Sequence, residues 1–206
     1  LVSTSVLYSL TVLIWGSSWL AIHFQIGVVP PEIAIVYRFV LASTLLVVWC
    51  LARGISLRIA PRHHPYLALL GFSLFSLNYL LFYYAAFDLA TGLLAVIFST
   101  MTVMNIFNSA LFLNHRIQKK TVVAVIFGLT GMGLVFWPEL ATSRAQAVGA
   151  IGMSLVATYL ASIGNIVSAR NQKHGISVAS ANAIGMAYGA LFLFAFSFLS
   201  GAPFVI

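Results

Sequence analysis

The sequence predicts an all-α integral membrane protein with seven transmembrane helices. Three observations carry this expectation. First, 62% of the 206 residues are hydrophobic and only 6% are charged, whereas a soluble domain needs about a quarter of its residues charged to clothe its surface. Second, the apolar residues fall in runs of about 20, the length that crosses a bilayer as a helix. Third, the runs do not alternate polar with apolar, as the half-length strands of a membrane barrel would.

The runs lie at about residues 6–26, 33–51, 66–87, 91–113, 121–137, 149–169 and 178–199. Each is read as a helix because backbone amides in hydrocarbon must be satisfied within their own segment. The connections carry turn signals: Pro30-Pro31 after the first run, Pro61 and Pro65 before the third, Pro138 after the fifth, and Asn171 to Gly175 before the seventh. Trp49 and Trp137 stand at run ends, where tryptophan favours the headgroup layer.

Orientation follows from the cations. Arg53, Arg58 and Arg62 follow the second run, Arg116, Lys119 and Lys120 the fourth, and Arg170 and Lys173 the sixth. Strict alternation of the runs puts these eight on one side. The other side holds Arg144 with all three acids, Glu32, Asp88 and Glu139. Lys/Arg excess marks the cytoplasmic face, so the N-terminus is expected inside a bacterial-type inner membrane and residue 206 outside. The same distribution argues against a nucleic-acid partner for the +7 net charge, because the basic residues form neither a tail nor a soluble face. Membrane lipid and a small-molecule solute are the expected partners, and a homodimer is an admissible assembly. The lone Cys50 rules out an internal disulfide framework. The first run lacks the basic leader and small-residue cleavage site of a signal peptide.

The first two runs and the sixth and seventh compare weakly at an offset of 144, with Trp15 against Tyr159 and Arg38 against Asn182. Five helices between two copies reverse their orientation, which is the inverted repeat of secondary transporters. The stretch Leu13-Ile14-Trp15-Gly16-Ser17-Ser18-Trp19, then Tyr37-Arg38-Phe39, Leu111-Phe112-Leu113, Arg116 and Gly131, resembles an EamA domain of the drug/metabolite transporter superfamily. Three departures stand out. Ser99-Thr100-Met101 occupies the place of a usual proline, His115-Arg116 that of a Glu-Arg pair, and Ala124 that of a glycine. The resemblance implies a ten-helix architecture of two five-helix repeats. The chain then reads as a first repeat at 1–137, an external connection at 138–147, and the first two helices of a second repeat at 148–206. Seven helices and a start at Leu1 make a fragment or a truncated form the expectation.

Polar and aromatic residues inside the runs are the expected solute site. Trp15, Trp19 and His23 recur every four residues and so share one helix face. The two mid-run tryptophans either line a cavity or pack against lipid and neighbours. His23, near the outer end, is read as an interfacial histidine or a proton carrier. Arg38 is the one cation inside a run. It either snorkels to the outer headgroups or faces the bundle, beside Asp88 or helix-end carbonyls, where it attracts a carboxylate. Asn78, Tyr79, Tyr83 and Tyr84 mark the third run. Met101, Asn105 and Asn108 form an i, i+4, i+7 stripe in the fourth. Amides there serve as interhelical glue or touch the solute. Aromatic rings with amides suit amphipathic solutes, aromatic or cationic. Ala181, Gly185 and Gly189 in the seventh run, and Ser154, Ala157, Ala161 and Gly164 in the sixth, read as packing faces.

Catalysis finds no support. The three acids all fall near the outer face, which leaves no carboxylate pair for acid–base work in the membrane. His63-His64 lacks neighbouring carboxylate or thiolate ligands, so no metal is expected, and no cofactor. No P-loop is present. The expected function is secondary transport, with export of metabolites or amphipathic compounds taken from the resemblance. A membrane scaffold or assembly subunit is the alternative, and a membrane enzyme is disfavoured.

Overall fold

The computed structural model describes residues 3–114, 116–142 and 145–201, with the side chains of 136, 138–142, 145 and 146 excepted. His115, Arg144, the Glu139 side chain and the expected external end at 206 lie outside the described residues. Seven long helices follow one another: α1 (Thr4–Gln25), α2 (Pro31–Ala52), α3 (Pro61–Ala85), α4 (Thr91–Leu113), α5 (Lys119–Thr142), α6 (Ala145–Lys173) and α7 (Val178–Ser200). No strand occurs among the described residues. Six of the seven, all but the incompletely described α5, are long and apolar enough to span a bilayer. At 1.5 Å per residue, a helix of 22 residues covers about 33 Å, close to the hydrocarbon thickness. Large apolar side chains cover the outside, with Phe198 and Leu199 at 74% and 84% exposure. In water such a surface would aggregate; in lipid it is solvated. The chain is a membrane protein.

Local chemistry sets the boundaries. Ser3 and Ser177 cap α1 and α7 by accepting from the amides of Val6 and Ser180. Pro31 opens α2 at the position where its missing N–H costs nothing. The structure departs from the sequence reading at Pro138, because α5 continues through it to Thr142 and α6 starts at Ala145. The connection is therefore shorter than the expected 138–147. A membrane helix tolerates an internal proline when the freed carbonyls find other donors.

Two helices are irregular, and both irregularities face the interior. In α3 the segment Ser73–Leu77 is a π-helical turn. Its Ser73 hydroxyl donates to the Leu69 carbonyl (2.7 Å). In α4 the helix breaks at Thr100, between Thr91–Ser99 and Met101–Leu113. Ser99 and Thr100 donate their hydroxyls to the carbonyls of Val96 and Ile97, each at 2.6 Å. Hydroxyl bonds back to the preceding turn bend helices. The interruption thus falls where the resemblance leads one to expect a proline.

The core is built by α2, α3, α6 and α7, with α4 laid against α6. Glycines bring α3 and α7 into backbone contact. A methyl on Gly189 would lie 2.8 Å from the Phe75 carbonyl oxygen and 2.9 Å from that of Gly71. Both small-residue faces are buried, with Ala181, Gly185 and Gly189 on α7 and Ser154, Ala157 and Ala161 on α6. Ser43 on α2 donates to the Ala183 carbonyl of α7 (2.7 Å). By contrast α1 buries only Ile22, and no described side chain of α5 is buried.

The two ends differ. At one, the α2–α3 connection meets the start of α7, where Ser180 donates to the Ser56 carbonyl (2.8 Å). His64 also reaches Tyr188 (2.8 Å). Arg53, Arg58, Arg62, Arg170 and Lys173 belong to this end. At the other, Tyr83 donates to Gln25 and Tyr84 to Glu32, tying α3 to α1 and α2.

Candidate functional site

A cavity of about 410 Å3 opens between α1, α2, α3 and α4, with one residue contributed by α6. Such a volume suits a small organic solute. The i, i+4 spacing of Trp15 and Trp19 puts both rings on its α1 wall. They meet Phe98 of α4 at 5.5 and 5.8 Å between centroids, and Trp19 meets Phe82 of α3 edge-on at 5.3 Å. Phe39 of α2 stands edge-on to Tyr79 at 5.0 Å and tilted to Phe75 at 5.4 Å. Offset and edge-on pairs of this kind hold each other in place, so the walls are stiff.

Arg38 points into this aromatic box rather than to the headgroups. Its guanidinium carbon lies 5.3 Å from the centre of the Tyr79 ring, within cation–π range. Its Nη1 is buried and makes no hydrogen bond. Asp88, the partner considered from sequence, is exposed in the α3–α4 connection. On the α3 wall, the Oδ1 of Asn78 is likewise buried and unpaired. Leaving a buried donor or acceptor unpaired costs about 1–3 kcal/mol, more for a charged group. Two such atoms, one a cationic donor and one an acceptor, therefore line the same space. Among the described lining residues there is no acid.

Trp15, Trp19, Arg38, Asn78, Tyr79 and Met101 all line the cavity. Four other residues expected at the site do not. Asn105 stands one step behind the wall, accepting from Asn165 (3.4 Å). Asn108 is fully buried and donates to Ser162 of α6 (2.8 Å), the interhelical glue reading. Tyr83 is buried but turns its hydroxyl to Gln25 near the end of α1. His23 is exposed beside Phe24, because one further turn carries its face past the end of the cavity.

Sequence reasoning passed over Phe75, Phe82, Phe98, Ser18 and Asn165, all of which line the cavity. Asn165 had a readable signal, since it lies one turn beyond Ala161 on the small-residue face of α6. It donates to the Met101 sulfur (3.4 Å) as well as to Asn105. The phenylalanines gave none, because single aromatics in an apolar run look alike whether they meet lipid or a cavity.

Residues 3–137 match the model of the EamA-like transporter family. Protein PagO of Salmonella typhimurium is 28% identical over 142 residues, covering 69% of this chain and 47% of that protein. An uncharacterized transporter encoded in the trpA 3' region of Buchnera aphidicola is 22% identical over 192 residues, 93% of this chain and 62% of that protein. An uncharacterized transporter of Archaeoglobus fulgidus is 25% identical over 158 residues, 77% and 54% of the two chains. The chain thus spans about half to two thirds of the length of the curated relatives it matches. No solved structure matches it significantly.

Proposed function

The chain belongs to the EamA-like transporter family, and from that premise we propose that it carries the solute site of a secondary transporter in a bacterial-type inner membrane. The observation that carries this reading is the pair of unpartnered atoms, Arg38 Nη1 and Asn78 Oδ1, inside one aromatic cavity. The solute it fits has an anionic group for Arg38, a nearby N–H or O–H for Asn78, and an apolar body among the rings. An arginine with no acid beside it favours an anionic solute over a cationic one, since a like charge would be repelled at low dielectric.

Alternating access by two inverted halves is the proposed mechanism, with export as the direction. The packing of α2 on α7, its counterpart at the 144-residue offset, supports this reading. The cytoplasmic placement of the N-terminus rests on the eight-to-one cation bias. Cys50 is buried, so a cysteine placed at Gln118 reports alone; labelling of it from outside sealed cells overturns the orientation.

The site is tested by flux into proteoliposomes with a panel of solutes matched in size, carrying a carboxylate, an ammonium or both. Solutes with a carboxylate should move and quench the tryptophan fluorescence of Trp15 and Trp19. A panel dominated by pure cations sinks the assignment. The absence of any flux favours the scaffold reading instead.

A further inference from the structure

A second cavity, of about 390 Å3, lies at the basic end between the α2–α3 connection and the turn joining α6 to α7. It shares no lining residue with the solute cavity. Arg58, His63 and His174 line it, and two further arginines close on His63. Arg62 donates from Nε to His63 Nε2 (3.3 Å), and Arg170 Nη1 stands 3.5 Å from His63 Nδ1. His174 meets the His63 ring edge-on at 5.4 Å.

This arrangement has more donors than acceptors. A neutral imidazole offers one acceptor nitrogen, and its other nitrogen carries a proton. His63 therefore cannot accept from both arginines at once. Asn171, fully buried next to Arg170, takes one bond from it at Oδ1 (3.1 Å) while its own Nδ2 finds no partner. The described acids, Glu32 in the first turn of α2 and Asp88 in the α3–α4 connection, lie at the far end. Arg170 also stacks on Tyr66, whose ring centre is 3.3 Å from the guanidinium carbon.

We propose that this cleft binds a phosphate group. With Arg58 in its wall and Arg62 and Arg170 behind His63, the cleft calls for a ligand with many acceptor oxygens. Phosphate offers at least three, where a carboxylate offers two. The chemistry is shared by a phospholipid headgroup and by free inorganic phosphate. Basic pockets between helices on the cytoplasmic side are natural headgroup sites.

The two sources separate in nanodiscs, with thermal unfolding as the readout. In neutral phosphatidylcholine discs, inorganic phosphate at tenfold excess over its Kd should raise Tm by about 3–6 °C relative to chloride of equal ionic strength. A rise on moving to phosphatidylglycerol discs, without added phosphate, identifies the headgroup. The exposed pair Arg58→Gln with His174→Gln should remove at least half of whichever shift occurs, with helicity unchanged by circular dichroism. Lys120→Gln, in the α4–α5 region, should leave the shift intact. No rise in either disc type, an undiminished rise in the double variant, or an equal loss in Lys120→Gln would each overturn the site.

Discussion

Helix α3 presents two faces of opposite design. One lies on α7, where Gly71, Gly185 and Gly189 let backbones touch. The other lines the solute cavity with Phe75, Asn78, Tyr79 and Phe82, bulky rings around an unpaired amide oxygen. The π turn at Ser73–Leu77 sits where one face hands over to the other. A wide turn inserts an extra residue and rotates the residues C-terminal to it, and such turns recur at functional sites. The difference teaches that close packing and the cavity wall draw on largely different residues of one helix, with Phe75 serving both. Damage to the seam should read out as loss of fold, and damage to the cavity wall as loss of function with the fold retained.

The largest effect should come from the seam. Gly189→Ala places its methyl against backbone atoms of Phe75 and Gly71, which cannot swing aside as a side chain can. Overpacking of this kind costs about 1–3 kcal/mol or more, and chemical denaturation in detergent should show it. Normal stability would mean that α3 and α7 are not in backbone contact.

Arg38→Ala comes next and tests the other side. Transport should fall at least tenfold at matched expression, with insertion and thermal stability retained or improved, since an unpaired buried charge is removed. Arg38→Lys keeps the charge but loses the planar fork, and should give an intermediate loss. Near-normal flux by Arg38→Ala would erase the proposed distinction between the faces.

Asn78→Ala sharpens the comparison because it removes an acceptor that has no partner in the fold. Solute affinity should drop severalfold while Tm stays level or rises, the reverse pattern to Gly189→Ala. A lower Tm would mean that the amide is structural. Ser43→Ala, which deletes a buried bond to the α7 carbonyl of Ala183, should cost about 1 kcal/mol and leave affinity unchanged. The smallest effect belongs to His23→Ala, at an exposed position outside both faces. It should change neither flux nor its dependence on pH, and a flattened pH profile would reinstate His23 as a proton carrier.

Helix existence and spacing were legible in the sequence because lipid imposes length and apolarity on every span. The i, i+4 pair of Trp15 and Trp19, and the cost of Arg38, pointed to an interior for the same reason. Other features depend on where neighbours lie, which periodicity does not encode. Asn105 and Asn108 share a stripe, yet the approach of α6, which bonds both amides, leaves only Met101 of that stripe on the cavity. The π turn has no sequence mark of its own. Nor did the aromatic residues reveal which of them face lipid, since Phe98 lines the cavity while Phe107 stands 61% exposed.

The interruption in α4 differs in kind from a proline kink. A proline deletes one amide from the helical ladder for good, so the kink it makes is permanent. Here the Thr100 amide still bonds, to the Ile97 carbonyl (3.0 Å), and the Thr100 carbonyl still receives Met104 (3.1 Å). The hydroxyls of Ser99 and Thr100 add bonds to the preceding turn, each worth about 1 kcal/mol. Phe98 and Met101 flank this joint on the α4 wall of the cavity, so that wall keeps the Thr100 amide that a proline would have removed.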